Sequence, residues 1–318
     1  MKRKMIAAFC CLFFLTGNII AQKEKSSYMS AHINTGLSSL GYGITGLDGN
    51  AGSVKSKVGF GLGAKYNFYF NKHWGIGTGF GLSIYSTNAI IRGGMDDDNM
   101  YRLGSYNDND DSGLPKKFEL RGRLENIKEK LNIQFLEIPI TALYQTRFSY
   151  GKWGAYGSLG VKLQLPVTRK SDAVKNIGSR LNVSGFYADA SQNFDMGAPG
   201  SPSVAHHGFG TIDNPGPTLD WKSNVELKSG IAGTFEVGAL YRLTNESDFC
   251  FGAYVDYGFS DIKKKSGSLL SGPANNYHPE AEDNIGKGVI YNGLLNSDHT
   301  DKIIPVSFGV KIGVRFKL

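Results

Sequence analysis

Apolar side chains occupy every second position in eight segments of the chain, and the C-terminal segment shows this most clearly. Between residues 304 and 318 all even-numbered residues are apolar, and from Ser307 onward the residues between them are polar or glycine. Eight such positions span about 50 Å at the rise of a β-strand, which exceeds the length of most strands in soluble proteins. The pattern predicts a strand with one face toward lipid.

The other seven segments show the same two-residue period. In the third segment Ile76, Phe80 and Leu82 alternate with glycines, and in the fourth Ile138 and Ile140 alternate with polar residues and a proline. A period of two is typical of strands that have one apolar face. The predicted strands lie at residues 28–37, 58–70, 74–84, 136–145, 155–165, 227–242, 250–259 and 304–318.

Short and long connections alternate between these segments. The short ones are residues 71–73, 149–152 and 244–248, and the longer ones are residues 45–53, 93–130, 169–224 and 263–301. Outer-membrane barrels show this asymmetry, with tight periplasmic turns and longer extracellular loops. We therefore predict an all-β fold, an eight-stranded antiparallel up-and-down transmembrane β-barrel with long extracellular loops. A ten-stranded barrel that uses part of residues 183–187 remains an alternative at this point.

The N-terminal segment has the three parts of a secretory signal peptide. Lys2, Arg3 and Lys4 precede an apolar run that ends at Leu15, and Ala21 supplies a small residue for cleavage. The run is too short to cross a bilayer as a helix. We expect a cleaved signal peptide at residues 1–21, an outer-membrane β-barrel domain at residues 22–318, and location in the cell outer membrane.

Composition agrees with an exported β-protein. Aromatic residues make up 12% of the chain and 42 residues are glycine, a profile that favours many strands over disorder. The net charge of +7 falls to +4 without the three basic signal residues, which gives no reason to expect a nucleic acid partner. Once Cys10 and Cys11 leave with the signal, Cys250 is the only thiol, and an intramolecular disulfide is excluded.

Charged residues on the inward faces of the strands are the first candidates for chemistry. Paired carboxylates such as Glu137 and Glu236 would suit acid and base catalysis in a water-filled site. The interior of an eight-stranded barrel, however, is only wide enough for its own side chains, and buried charges need partners there. The favoured prediction is a lumen ion-pair network made of Lys65, Glu137, Lys162, Glu236, Arg242, Asp256, Lys311 and Arg315.

Other candidate sites have less support. A lipid A-modifying hydrolase would need a serine beside a histidine, and none of the six histidines has a serine at a defensible spacing. His206 and His207 have no cysteine or acidic residue at metal-ligand spacing. The acidic runs at residues 96–98 and 107–111 lack the ordered spacing of a calcium loop. We predict no catalytic residue, no metal and no cofactor.

A basic stretch follows the second acidic run. Within residues 116–130, and just beyond, the spacing of Leu124, Ile127 and Leu131 predicts a short helix. This helix would face either the acidic run or lipopolysaccharide phosphates, and charge alone leaves both options open.

The last residues carry a family resemblance. Lys311, Gly313, Phe316 and Leu318 form a polar, x, Gly, x, x, aromatic, x, apolar octet that resembles the β-signal read by the barrel-assembly machinery. With this octet, the signal ending in IIAQ and the run FLEIPI at residues 135–140, the chain resembles the PorT-like and OmpA/OmpX-like outer-membrane barrels of Bacteroidetes-type bacteria. The resemblance implies the barrel-assembly machinery, outer-membrane lipid and lipopolysaccharide as partners.

Function is expected to lie in the long loops, because they exceed what a turn requires. We predict a non-enzymatic structural, adhesive or partner-binding role, with an extracellular or envelope protein or a polysaccharide as the contact. The PorT resemblance implies an alternative role as a secretion or envelope-assembly component. A lipid A-modifying barrel enzyme and a small pore are further alternatives.

Overall fold

The chain folds almost entirely into antiparallel β-strands. The computed structural model describes residues 25–44, 52–91, 100–109, 115–148, 151–174, 180–187, 192–194, 209–213, 222–272 and 288–318. A single turn of 3₁₀ helix within these ranges lies at Leu294–Asn296. The strands are β1 (Ser26–Ser39), β2 (Ser53–Tyr69), β3 (Trp74–Ile91), β4 (Tyr101–Asn109), β5 (Pro115–Glu125), β6 (Ile127–Arg147), β7 (Trp153–Val174), β8 (Arg180–Tyr187), β9 (Gln192–Phe194), β10 (Gly210–Asp213), β11 (Lys222–Asn224), β12 (Gly230–Arg242), β13 (Ser247–Gly258), β14 (Leu270–Ser271), β15 (Ile290–Tyr291) and β16 (Val306–Lys317).

Among the described strands, eight close into a barrel. The order around the wall is β7, β12, β13, β16, β1, β2, β3, β6 and again β7, and each neighbouring pair is antiparallel. The last strand pairs with the first, so that Phe316 lies opposite Met29 and Phe308 opposite Leu37. Closure gives the backbone donors and acceptors of the wall their partners, as hydrocarbon requires. The predicted eight-stranded antiparallel barrel is confirmed.

The outer face of the wall carries large apolar side chains. Phe60, Phe80 and Leu159 expose 60%, 64% and 65% of their surfaces. The intervening positions point inward, as shown by Ser158 and Lys162, which flank the outward Leu159 and Val161 and are buried. A continuous apolar band of this kind is unfavourable in water and suits contact with lipid chains.

Aromatic pairs mark one end of the barrel. Trp74 packs edge-on against Tyr144, and Trp153 packs in the same way against Tyr241, with ring centroids 4.9 Å apart in each pair. All four lie beside the short connections between β2 and β3, β6 and β7, and β12 and β13. Rings at this level form the girdle expected at a membrane interface. We call this end the turn end and the opposite end the loop end.

A second layer of structure covers the loop end. A separate sheet has the order β10, β8, β5, β4, and β9 pairs with β8. Its buried side chains share one apolar core with the described loops and with the upper parts of β3 and β6. We call this sheet and its core the loop-end domain. The core includes Leu40, Tyr85, Phe118, Leu120, Leu124, Leu131, Ile133, Phe135, Leu181, Val183, Phe209, Leu227, Ile262, Leu270, Leu294, Leu295 and Ile303.

The helix predicted within residues 116–130 is wrong. The stretch forms β5 and the start of β6, separated by Asn126, which has a φ of 50°. Leu120 and Leu124 are buried on even positions before this break, and Leu131 and Ile133 are buried on odd positions after it. At the break the apolar residues change from even to odd positions. The interval across it is therefore no longer a multiple of two, and the apolar spacing resembles that of a helix.

Two further strand predictions are corrected. The ten-stranded alternative is wrong, because residues 183–187 belong to β8, which pairs with β5 and β9 in the loop-end domain. The sixth wall strand begins at Gly230, and Leu227 before it is buried in the loop-end core instead of facing lipid.

Some predictions fall on residues that the structure does not describe. These are the signal peptide at residues 1–21, the acidic run at residues 96–98, the pair His206 and His207, and His278. Of the second acidic run, residues 107–109 belong to β4, and residues 110 and 111 lie outside the described ranges. In the described ranges no helix is long and apolar enough to cross a membrane.

Candidate functional site

Inward-facing charges from six wall strands meet in three clusters along the lumen. In the middle cluster, Oε2 of Glu236 on β12 accepts hydrogen bonds from Nζ of Lys65 on β2, at 3.2 Å, and of Lys311 on β16, at 2.6 Å. The hydroxyl of Tyr156 on β7 donates to Oε1 of the same carboxylate at 2.9 Å. Each side chain reaches the lumen because it holds the inward position of an alternating strand.

The second cluster lies toward the loop end. Nζ of Lys162 on β7 donates to Glu137 Oε2 at 3.1 Å and to Asp256 Oδ2 at 2.7 Å. Nε2 of Gln164, one inward position further along β7, donates to Glu137 Oε1 at 3.1 Å and to the hydroxyl of Tyr85 at 3.1 Å. One buried lysine thus serves two buried carboxylates, and the cluster is linked to the loop-end core through Tyr85.

The third cluster lies toward the turn end. Oδ2 of Asp248 on β13 accepts from Nη2 of Arg147 at 2.5 Å and from Nε of Arg315 at 2.9 Å. The guanidinium of Arg315 also lies over the ring of Tyr28, 4.5 Å from its centroid, and donates to the hydroxyl of Tyr69 at 3.4 Å. Planar stacking and a fixed donor geometry suit arginine to such a buried position.

The structure brings together seven of the eight residues predicted for the lumen network. Lys65, Lys311 and Glu236 meet in the middle cluster, Lys162, Glu137 and Asp256 meet in the second, and Arg315 joins the third. Arg242 ends β12 opposite Asp248, whose carboxylate is paired with Arg147 and Arg315.

Contributors that were absent from the predicted set include Arg147, Tyr156, Gln164 and Asp248. The sequence pattern predicts Asp248 in a short turn, but it lies in β13, which begins at Ser247. Its even number matches the inward residues Cys250 and Asp256, and this parity is the signal that would have placed it in the lumen.

The predicted assembly residues occupy both faces of β16. Lys311 and Gly313 point inward, and Phe316 and Leu318 are exposed on the outside. A Cβ atom at Gly313 would lie 2.5 Å from the carbonyl oxygen of Ala31, so β1 passes too close for any side chain there. The amide of Leu318 donates to the carbonyl oxygen of Ser27 at 2.9 Å and completes the closure of the barrel.

The described histidines contact groups other than serine hydroxyls. Nδ1 of His73 lies 2.9 Å from the carbonyl oxygen of Gln145, Nε2 of His299 bonds the hydroxyl of Tyr101, and His32 lines the lumen beside Lys311. Burial raises the pKa of Tyr101 above its usual value, so this tyrosine keeps its proton at neutral pH. Among the described residues, no three His, Cys, Asp or Glu side chains are grouped as metal ligands would be.

Comparison with solved structures gives distant likenesses. OprG from Pseudomonas aeruginosa is 12% identical, with a TM-score of 0.37 over 95% of this chain and 99% of that one. Neisserial surface protein A is 13% identical, with a TM-score of 0.34 over 93% and 100%. Ail of Yersinia pestis, solved with the heparin analogue sucrose octasulfate, is 11% identical, with a TM-score of 0.27 over 93% and 100%.

Comparison with curated proteins gives no match. The sequence model of a family described as outer membrane protein beta-barrel domain matches residues 20–264, which cover β1 to β13 of the structure. The chain belongs to this family and is an outer-membrane β-barrel protein.

Proposed function

We propose that the protein is a non-enzymatic outer-membrane barrel that presents its loop-end domain to a macromolecular partner outside the cell. The observation that carries this proposal is the sheet of β4, β5, β8, β9 and β10 with its buried core. Connections that only join wall strands need a few residues and no core of their own.

A folded surface is better suited to binding than a set of mobile loops. The core residues Phe118, Leu120 and Leu181 hold β5 and β8 in one arrangement, and the pairing of Glu119 with Phe186 continues the ladder to the edge of that core. Arg121 lies over the ring of Phe186, 3.9 Å from its centroid, on the other face of the sheet. Because such a surface is already ordered, a partner that binds it loses less conformational entropy in the complex.

The lumen supports the non-enzymatic part of the proposal. Its carboxylates accept hydrogen bonds from Lys65, Lys162, Lys311, Arg147 and Arg315, whereas a catalytic acid or base needs access to a substrate. Buried charges paired in this way stabilise a particular arrangement of strands.

Removal of the sheet tests the proposal. Lys222 lies opposite Asp172, so these two residues can be joined by an Asn-Gly turn that replaces residues 173–221 and keeps the register. This variant lacks β8, β9 and β10 and keeps all eight wall strands. Cells that display the full chain or the variant are compared for adhesion to a panel of immobilised extracellular proteins and polysaccharides.

We expect adhesion with the full chain and its loss with the variant, while heat-modifiable mobility in gels shows that both barrels are folded. A control variant, Lys72→Gly, creates the same Asn-Gly pair at the turn end, where residue 71 is already Asn, and should adhere like the full chain. Equal adhesion of cells with the full chain and with the deletion variant would contradict the proposal.

A further inference from the structure

The lumen contains a cavity of about 60 Å³ on the turn-end side of the second cluster. Its wall is formed by residues of seven barrel strands. A water molecule in the liquid occupies about 30 Å³, so the cavity has room for roughly two water molecules or for ions of similar size. The charged and polar residues that matter most here are His32, Lys65, Tyr156, Glu236, Lys311 and Arg315.

Positive charge exceeds negative charge around this cavity. Lys65 and Lys311 share the one carboxylate of Glu236. Arg315, which also lines the cavity, shares the carboxylate of Asp248 with Arg147. The cluster with the opposite balance, Lys162 with its two carboxylates, does not line the cavity. Excess charge of one sign in a low-dielectric interior favours an ion of the other sign.

Polar atoms in the cavity wall lack partners of their own. Nη2 of Arg315, Oγ of Ser158 and Oδ1 of Asn67 are buried without a hydrogen-bond partner among the described residues, and all three residues line the cavity. Arg315 is only 3% exposed, so bulk water does not solvate its free nitrogen. A buried donor without an acceptor is unfavourable, and an occupant that accepts hydrogen bonds would remove that cost.

We propose that this cavity binds a small monovalent inorganic anion of the size of chloride. The ammonium groups of Lys65 and Lys311, Nη2 of Arg315 and the hydroxyl of Ser158 supply donors in its wall. Oδ1 of Asn67 accepts a hydrogen bond from a water molecule beside the anion. The bound anion halves the net positive charge of the two basic clusters, and it acts as a structural ligand of the barrel.

Bromide serves as the probe, because it resembles chloride in size and scatters anomalously. Crystals of the full chain in detergent are grown in sodium bromide, and diffraction data are collected at the bromine absorption edge. We expect an anomalous peak in the cavity, within hydrogen-bonding distance of Lys65 and Lys311. The thermal midpoint in micelles should also rise when chloride replaces gluconate at constant ionic strength.

Lys65→Met is the matched variant, because it removes one of the two ammonium groups that pair with the Glu236 carboxylate and leaves that of Lys311 in place. We expect it to lose both the peak and the dependence of its midpoint on chloride. Lys317→Met removes an exposed lysine near the end of the same barrel and should keep both. Absence of the peak from the unaltered chain, or its persistence in Lys65→Met, would overturn the proposal.

Discussion

Gly309 on β16 and Gly36 on β1 lie directly opposite each other, and neither has room for a side chain. A Cβ atom on Gly309 would lie 2.1 Å from the carbonyl oxygen of Thr35, and one on Gly36 would lie 2.1 Å from that of Phe308. Backbone atoms cannot move aside as the end of a flexible side chain can. The seam that closes the barrel therefore depends on a glycine pair that permits close approach of the strands.

Gly309→Ala tests this requirement. We expect the free energy of unfolding to fall by about 2 kcal/mol or more, because the added methyl group forces the two strands apart. Urea unfolding in micelles measures the change. Gly267→Ala is the matched control, since a Cβ atom there meets nothing within 4 Å. If both variants unfolded at the same urea concentration, close packing at the seam would not be the reason for Gly309.

Lys162 and Lys65 are both buried lysines in ion pairs, but Lys162 pairs with two carboxylates, whereas Lys65 shares one carboxylate with Lys311. Lys162 serves Glu137 and Asp256, so Lys162→Met leaves two buried carboxylates without this cation. We expect a loss of stability of about 3–5 kcal/mol. Addition of Asp256→Asn to Lys162→Met should recover part of it, because one uncompensated charge is then removed. Unfolding midpoints of the three proteins check this, and an unchanged midpoint in Lys162→Met would rule out the paired role.

At the level of elements, β16 combines closure of the barrel with a predicted assembly signal. Phe316 is 52% exposed on the outer face, opposite Met29 and Ser247. Its ring therefore contributes little to the lumen and is available for recognition during assembly. The structural reason for Gly313 is separate, because β1 excludes a side chain there.

Phe316→Ala separates assembly from stability. We expect a several-fold lower yield of folded barrel in cell membranes, since the aromatic position of the octet is lost. Refolding of the same variant from urea into detergent should proceed as for the unaltered chain. Phe308→Ala, an equally exposed outward phenylalanine on β16, is the matched control and should assemble normally. Equal membrane yields of the two variants would contradict an assembly role for Phe316.

The wall strands could be predicted from sequence because lipid imposes one rule on all of them, apolar residues outward at every second position. The loop-end domain could not be predicted, because β5 pairs with β8, which is distant in the sequence, as in Leu124 opposite Leu181. The alternation of apolar and polar residues does not show which strands become partners. The phase shift at Asn126 hid the strands around it. In the lumen, parity identified inward charges such as Glu236, but their partners depend on which strands face each other across the barrel.

At the scale of the whole molecule, the two ends of the barrel are built differently. The turn end has aromatic pairs and short connections, whereas the loop end has an apolar core and a second sheet. Outer-membrane barrels place short turns in the periplasm and long loops outside. We therefore predict that the loop-end domain faces the exterior of the cell.

Cysteine labelling checks this orientation. In a Cys250→Ala background, a cysteine is introduced either at Arg102, whose side chain is 78% exposed in the loop-end domain, or at Lys152, which is exposed at the turn end. A membrane-impermeant maleimide should label Arg102→Cys in intact cells, and label Lys152→Cys only after the outer membrane is permeabilised. The reverse result would place the loop-end domain in the periplasm.

The wall strands are unequal in length, and this affects how the molecule would respond to force. β6 and β7 have 21 and 22 residues, whereas β13 and β16 have 12 each. About 9–11 residues are enough for a strand to cross the hydrocarbon. β2 and β3, with 17 and 18 residues, also extend beyond it, so traction on the exterior would pull along these two tall hairpins, parallel to their strands. A force in that direction loads the inter-strand backbone hydrogen bonds in shear, so that they resist it together. A force across the strands would instead break these hydrogen bonds one after another.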